Sequence, residues 1–99
     1  MLTVIAKLKV QAGNESAFQQ AANEMIAYVT AHEPGTVRYV LHRAIADPTE
    51  FVFYEVYADQ AAFAAHGGSE QMQKFFGAVG GLLAGRPDIV MYEALGGKQ

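Results

Sequence analysis

The sequence contains no cysteine, so it forms no disulfide and offers no thiolate for catalysis or for metal binding. Charged residues are few, at 17% of the 99 residues against about 25% in an average protein, whereas apolar residues reach 52%. The seven basic residues are scattered and the net charge is -3, which argues against nucleic acid as a partner. No run approaches the ~18 apolar residues of a membrane span. With no signal-peptide pattern at the start, we expect a globular cytoplasmic protein.

Hydrophobic spacing predicts four strands and three helices. Apolar residues at every second position, or a run of β-branched and aromatic residues, predict strands over residues 2–10, 37–43, 51–57 and 89–95. Helical spacing predicts a first helix that reaches about residue 31, a short second helix over residues 59–66, and a third whose apolar stripe extends to Leu83. Asn14, Asp59 and Ser69 precede these helices, and each is a residue type that caps a helix N-terminus.

The order β-α-β-β-α-α-β is the split βαβ pattern of a ferredoxin-like α+β sandwich. We expect one domain over residues 1–99, with a core over 1–95 and a flexible tail over 96–99. The third strand is apolar on both sides, which a half-solvated sheet would not be. Its two sets of side chains are Phe51, Phe53 and Tyr57, and Val52, Tyr54 and Val56. A second copy that packs sheet to sheet would cover the outer face, so we expect a homodimer.

The segment FYEVYADQAAFAAH at residues 53–66, followed by Ser69, resembles the antibiotic biosynthesis monooxygenase family. Phe75-Phe76, LLAGRP at 82–87 and Tyr92-Glu93 resemble the same family. The opening MLTVIA and the Gly13 turn are also similar to members such as the quinol monooxygenases. The resemblance implies a dimeric α+β barrel with a pocket between sheet and helices in each subunit. It also implies oxidation of phenols or quinols by molecular oxygen without flavin, haem or metal. Other relatives degrade haem, isomerise a sugar phosphate or have no known activity.

Two positions depart from the family pattern. Many members carry Trp where this sequence has Tyr57. An ungapped comparison places Ala6 and Phe76 where the haem-degrading branch has an Asn and a His ligand, which disfavours haem degradation. No metal site is predicted either, because the three histidines have no cysteine or clustered carboxylates near them in sequence. No nucleotide-binding motif is present, so we expect no cofactor.

His66 and Tyr57 are the candidate catalytic residues. Imidazole changes its protonation near neutral pH and can remove a phenolic proton, and His66 stands just before the Gly67-Gly68 break. The alternative role for His66 is a favourable charge at a helix C-terminus. The Tyr57 hydroxyl is a candidate hydrogen-bond donor to a substrate carbonyl, and the alternative is a core aromatic residue.

Six further residues are candidates for substrate binding. Glu55 shares a strand face with Phe53 and Tyr57, and a carboxyl group in a covered interior is expected to be paired or to have a raised pKa. An ion pair of Glu55 with Arg43 or Arg38 is the alternative. The aromatic candidates are Phe53, Tyr39, Phe63, Phe76 and Tyr92, of which we expect only one or two beyond Phe53 to line the pocket.

The sequence thus predicts a cofactor-independent monooxygenase that oxidises a small phenolic or quinol-type aromatic with O2. In this hypothesis His66 favours the substrate anion and Tyr57 positions the ring. One alternative is an isomerase of a small carbonyl or sugar-phosphate compound, with Arg38, Arg43 and Arg86 as the available phosphate anchors. A second alternative is a non-catalytic dimer that binds aromatic ligands.

Overall fold

A computed structural model describes residues 1–98. Within them the chain forms four strands and three helices. The strands are β1 (Leu2–Lys9), β2 (Thr36–Arg43), β3 (Glu50–Tyr57) and β4 (Asp88–Glu93). The helices are α1 (Glu15–His32), α2 (Gln60–Gly67) and α3 (Glu70–Val79), and a 3-10 turn (Gly80–Leu82) follows α3. No helix described for these residues is both long and apolar enough to cross a membrane.

The strands form one antiparallel sheet in the order β2-β3-β1-β4, as a split βαβ arrangement requires. The helices pack against one face, so the predicted ferredoxin-like α+β sandwich is confirmed. We call the face toward the helices the inner face and the opposite one the outer face. Val4 and Leu8 of β1 lie on the inner face, and they pair across with Glu55 and Phe51 of β3.

The main core lies between α1 and the inner face, at the end of the sheet where β3 begins. Phe18 of α1 is fully buried, and its ring centroid lies 4.7 Å from that of Phe51. Met25 and Val29 follow Phe18 at spacings of seven and four residues, so one stripe of α1 meets the sheet. Burial of such side chains stabilises the fold by about 1.5–3 kcal/mol each.

Two of the three predicted helix caps form side-chain hydrogen bonds. Asp59 accepts from the Ala62 amide at 2.8 Å, and Ser69 accepts from the Met72 amide at 3.0 Å. Asn14 occupies the N-cap position of α1, but its side chain makes no capping bond. The Glu15 carboxylate turns back instead and accepts from the amide of Gly13, a residue with a φ of 97° that favours glycine.

The third helix and the last strand are both shorter than the sequence predicts. The α3 helix ends at Val79, and a 3-10 turn replaces the expected helical continuation to Leu83. Gly80 and Gly81 weaken a helix. The Leu82 carbonyl instead accepts from the Gln11 amide and the Ala84 amide donates to the Lys9 carbonyl, so Leu83 forms an isolated bridge with Val10 just after β1. The final strand stops at Glu93 rather than Leu95.

The outer face carries apolar side chains that the helices do not cover. Cross-strand register groups Val40 of β2 with Tyr54 of β3, and Val90 of β4 with Ile5 of β1. Tyr54 is 36% exposed and Val40 is 43% exposed. Val37, predicted to share a face with Tyr39, lies where the β2–β3 register shifts and is also exposed. The sheet is therefore apolar on both faces, as the sequence predicts.

Candidate active site

A cavity of about 390 Å³ lies on the inner face, between the sheet and helices α2 and α3. Four strands provide its floor, and the floor residues are Val4, Ala6, Leu8, Tyr39, Phe53, Glu55 and Ile89. Most of the remaining lining comes from the two helices, with Phe63, His66, Gly67, Met72, Gln73, Phe75 and Phe76, and Pro87 completes it. The lining is largely apolar and contains no lysine or arginine. Its size falls within the range of small-molecule sites, roughly 300–1,000 Å³.

His66 lies on the last turn of α2 and lines this cavity. Its side chain is only 3% exposed, and its Nδ1 lies 2.8 Å from Oε1 of Glu33. The ring centroid is 5.0 Å from that of Tyr39 and 5.4 Å from that of Tyr57. The side chain is thus turned into the molecule and bonded to a carboxylate, rather than left as a cation at the exposed end of the helix.

Glu33 is the residue of this cluster that the sequence reasoning missed. It is the C-cap of α1, and its side chain is 11% exposed. Its Oε1 accepts from the Thr36 hydroxyl at 2.8 Å and also lies 2.8 Å from Nδ1 of the His66 ring. The signal in the sequence was a charged residue directly before Pro34-Gly35, where the turn from α1 to β2 carries it back toward the interior.

The spacing from His66 to Ser69 has a structural cause. The Ser69 hydroxyl donates to the backbone carbonyl of His66 at 2.9 Å, and it accepts from the Met72 amide. One side chain therefore joins the end of α2 to the start of α3. This link holds the turn that carries His66 in a defined place beside the cavity.

Glu55 lies on β3 and bonds to a tyrosine, not to an arginine. The Tyr57 hydroxyl donates to Glu55 Oε1 at 2.5 Å, within a buried pair. The alternative of an ion pair with Arg43 or Arg38 is wrong, because Arg43 lies opposite Phe51 and Arg38 lies on the outer face opposite Val56. Arg43 instead borders a separate groove against α1.

Burial raises the pKa of Glu55 to about 7, from an ordinary value of 4.5. The hydrogen bond from Tyr57 lowers this pKa, and the nearby charge of Glu33 raises it, but the loss of solvation is the largest effect. Near neutral pH a large fraction of Glu55 is therefore protonated. A protonated carboxyl group at the cavity wall can donate a hydrogen bond to a ligand oxygen.

Tyr39 and Tyr57 remain neutral phenols. Burial raises the pKa of each hydroxyl above its ordinary value, and the negative charge of Glu55 adds to the effect. Neither side chain is thus a base or an anion at neutral pH. Tyr39 stacks on Phe53 with ring centroids 4.7 Å apart and lines the cavity, whereas Tyr57 is fully buried beside the cavity and contacts the ring of Phe63.

The structure brings most of the predicted site residues to this one cavity. His66, Glu55 and four of the five aromatic candidates line it, and those four are Phe53, Tyr39, Phe63 and Phe76. Three aromatic residues beyond Phe53 do so, more than the one or two expected. Tyr92 lies elsewhere, because it pairs with Thr3 on the outer face and is 51% exposed. Tyr92 lies on the outer face because of the register of its strand, and the sequence alone does not determine that register.

The sequence model of the antibiotic biosynthesis monooxygenase family matches residues 1–78. The chain belongs to this family. No curated protein gives a significant match. Within the family, Ala6 and Phe76, which the ungapped comparison aligns with the ligand positions of the haem-degrading branch, both line the cavity and offer no ligand atom.

Solved structures carry the same fold over nearly the whole chain. A protein of Caulobacter crescentus, named as a candidate antibiotic biosynthesis monooxygenase, is 32% identical over 96% of this chain and 90% of its own, with a TM-score of 0.92. A Nitrosomonas europaea protein with the same name is 28% identical over 96% and 99%, with a TM-score of 0.86. A Mycobacterium tuberculosis protein, whose name gives no activity, is 26% identical over 99% and 98%, with a TM-score of 0.88. Family membership and these names support a general monooxygenase-like role.

Proposed function

We propose that this protein is a cofactor-independent monooxygenase that oxidises a small phenolic or quinol-type aromatic compound with O2. One observation carries the proposal. A buried histidine, held by Glu33 through one ring nitrogen, lines an apolar aromatic cavity together with the raised-pKa carboxyl group of Glu55. The arrangement supports a base and a hydrogen-bond donor that both reach the same bound molecule.

The cavity supports binding of a flat, uncharged ring system. Tyr39 and Phe53 form a stacked pair on the floor, and Phe75 and Phe76 approach from α3 with their ring centroids 5.4 Å apart. Aromatic rings pack well against such surfaces in stacked or edge-on geometry. With no lysine or arginine in the lining, an anionic substrate would lack a partner for its charge.

His66 acts as the base in this proposal. Its Nδ1 is engaged by Glu33, so Nε2 is the ring nitrogen that remains for a ligand. Removal of a phenolic proton gives an electron-rich anion, and a positioned general base contributes roughly 10²–10⁴ in rate. Glu55 in its protonated form donates to a second substrate oxygen, and Tyr57 is a positioning residue that holds the Glu55 carboxyl group.

The substrate itself supplies the electrons for oxygen reduction. The anion passes one electron to O2, which gives superoxide and a ring radical, and these combine to form a carbon–oxygen bond and a hydroperoxide. Cleavage of the O–O bond with loss of water leaves a carbonyl group at that carbon. One oxygen atom enters the product and the other leaves as water, which takes up the phenolic hydrogen and the hydrogen of the attacked ring carbon, so four electrons move from the substrate to O2 and no external reductant is consumed.

Oxygen uptake with a panel of hydroquinones and anthrones under air tests the proposal. We expect the wild-type protein to accelerate uptake and His66→Ala to lose roughly 100-fold or more of that acceleration. The matched control is His32→Ala, because His32 is exposed at the end of α1 and does not line the cavity. With ¹⁸O2, the product gains one labelled atom. Equal rates for the wild type and His66→Ala would reject the mechanism.

The same assay separates the two alternatives. An isomerase of a sugar phosphate would work without oxygen and would need a cationic anchor, but Arg38, Arg43 and Arg86 are all absent from the cavity lining. A non-catalytic binder would show saturable binding of the aromatic compound with no oxygen uptake. The apolar lining, which contains no lysine or arginine, favours the oxidation of a neutral aromatic.

The proposal includes a homodimer and a cytoplasmic location. Support for the dimer comes from the outer face, where Val40, Tyr54 and Val90 are each at least about a third exposed on one continuous surface. Packing of two such faces would remove this surface from water by a self-complementary contact. Sedimentation at micromolar concentration is expected to give a dimer, and Tyr54→Lys is expected to give a monomer. A wild-type monomer would reject the dimer.

A further inference from the structure

We infer that Glu33 is a positioning residue that selects the tautomer of His66, with the proton on Nδ1 and the lone pair on Nε2 toward the cavity. The inference deepens the proposed function and rests on it for its catalytic consequence. Its structural core is the pairing of two side chains that are distant in sequence, and this pairing can be measured without any substrate.

The contact between the two side chains is short and shielded from water. His66 Nδ1 and Glu33 Oε1 are 2.8 Å apart, and the side chains are 3% and 11% exposed. The Thr36 hydroxyl donates to the same carboxylate oxygen. The other oxygen, Oε2, is buried and has no hydrogen-bond partner among residues 1–98. The carboxylate group therefore depends on the Thr36 hydroxyl and the His66 ring for its hydrogen bonds.

The backbone holds Glu33 in place from both sides of the turn. Its amide donates to the Val29 carbonyl at 3.0 Å, and its carbonyl accepts from the Thr36 amide at 3.0 Å. The turn is also pressed against α2, because a Cβ atom at Gly35 would lie only 2.7 Å from the Cβ of Ala62. The helix that carries His66 and the turn that carries Glu33 are thus in direct contact, which limits the freedom of the pair.

The chemical consequence follows from which nitrogen carries the proton. A carboxylate oxygen only accepts, so the bond to Glu33 favours a proton on Nδ1 of the neutral ring. The lone pair is then on Nε2, the nitrogen that is free to meet a ligand in the cavity. With the other tautomer, Nε2 would carry a hydrogen and could not remove a proton from a phenol. A fixed partner of this kind also keeps the ring in one orientation.

A purely structural bond between α1 and α2 is the competing interpretation. In that case Glu33 would contribute to stability, and the position of the His66 proton would not depend on it. The negative charge of Glu33 also acts on other residues of the site, which favours a role for Glu33 beyond stability. It contributes to the raised pKa values of Glu55, Tyr39 and Tyr57.

Ring-nitrogen NMR of ¹⁵N-histidine-labelled protein without ligand tests the inference, with His32 and His42 as internal references. In the wild type at a pH where His66 is neutral, we expect protonated Nδ1 and unprotonated Nε2. Glu33→Met removes the acceptor at similar side-chain length, and we expect the preference for Nδ1–H to be lost. Thr36→Val keeps both partners of the bond and is expected to leave the tautomer unchanged. A wild-type ring with its proton on Nε2, or a folded Glu33→Met protein with an unchanged tautomer, would overturn the inference; the wild-type measurement can overturn it even if Glu33→Met does not fold.

Oxygen uptake with an anthrone then separates this inference from the proposed function. We expect Glu33→Met to slow turnover by roughly 10- to 100-fold, less than His66→Ala, because the base remains but its tautomer is no longer selected. Turnover by Glu33→Met equal to the wild type would reject the catalytic consequence. If the wild type shows the Nδ1–H tautomer and no oxygen uptake, the proposed function fails and the assignment of Glu33 stands.

Discussion

The two ends of the inner face of the sheet differ in what they pack against. At one end, Phe51 packs against Phe18 of α1 and belongs with Met25 to one buried cluster, and all three are essentially unexposed. At the other end, the same strand presents Glu55 beneath α2, with His66 and a cavity beside it. We call these the core end and the site end. Strand β3 therefore contributes to both the core and the cavity. The long helix α1 packs tightly at one end of its inner face, whereas the short helices α2 and α3 leave a cavity at the other.

The two ends also differ in their buried polar groups. Among residues 1–98, the buried charged or polar residues are Glu55 and His66, and both belong to the site end. Burial of ionisable groups costs free energy unless partners compensate, so their concentration at one end is a cost that packing at the core end offsets.

Phe18→Ala at the core end is expected to destabilise the protein by about 3–5 kcal/mol, because it removes a fully buried ring and leaves a cavity. Phe76→Ala at the site end removes a ring that is 36% exposed and borders space already, so we expect a loss of about 1 kcal/mol. Urea unfolding of the two variants measures both values. Equal losses would mean that the cavity in solution is closed and packed like the core.

Glu55 makes the stability of the site end depend on pH. Its pKa is about 7 in the folded protein and near 4.5 when unfolded, so the folded state holds the proton more tightly. The free energy of unfolding should therefore fall as the pH rises from about 4.5 to about 7, by on the order of 3 kcal/mol from this group alone.

The difference between the wild type and Glu55→Gln over that pH range isolates this contribution. The glutamine does not ionise, so the fall should be smaller in the variant, while other titrating groups cancel in the comparison. Parallel stability curves for the two proteins would show that Glu55 does not have a raised pKa.

Tyr57→Phe removes one hydrogen bond from the buried pair at the site end. We expect a loss of about 1 kcal/mol of stability, and a further rise in the pKa of Glu55, because the tyrosine hydroxyl stabilises the ionised carboxylate. Carbon NMR of the Glu55 carboxyl group follows this pKa directly. Tyr28→Phe, at a half-buried tyrosine of α1 outside the cavity lining, is the control and should leave it unchanged; a lowered pKa in Tyr57→Phe would contradict the geometry.

The smallest expected difference in stability between the two ends comes from the helix N-caps. Ser69→Ala at the site end should cost about 1 kcal/mol, since it removes the bond to the Met72 amide and the link to His66. Asn14→Ala at the core end should cost much less, because the Asn14 side chain makes no capping bond. Thermal unfolding of both variants checks the order. A larger loss for Asn14→Ala would reverse the assignment of the caps.

Much of the site was predictable because its residues lie on regular elements. Glu55 and Phe53 lie on the same face because side chains alternate along a strand. The position of His66 follows from the short helix α2, whose N-cap is Asp59. The prediction that Tyr92 lines the pocket was wrong because of register. A pattern within one strand does not determine which of its two faces lies toward the helices. The alternative of an ion pair for Glu55 was wrong for the same reason, because both arginines occupy other register positions.

The sequence by itself determined the order of the elements, the ferredoxin-like α+β class, and a sheet with apolar residues on both faces, because hydrophobic spacing and capping residues act over a few neighbouring positions. Only the tertiary structure decided that Glu33 meets His66, that Tyr57 bonds to Glu55, and that a cavity remains between β3 and the two short helices. The contact of Glu33 with His66 depends on the way the α1–β2 turn docks against α2, which is set by packing of segments about thirty residues apart rather than by any local pattern. Glu55 and Tyr57 are two residues apart on one strand face, and burial of that face beneath α2 decided that they bond to each other.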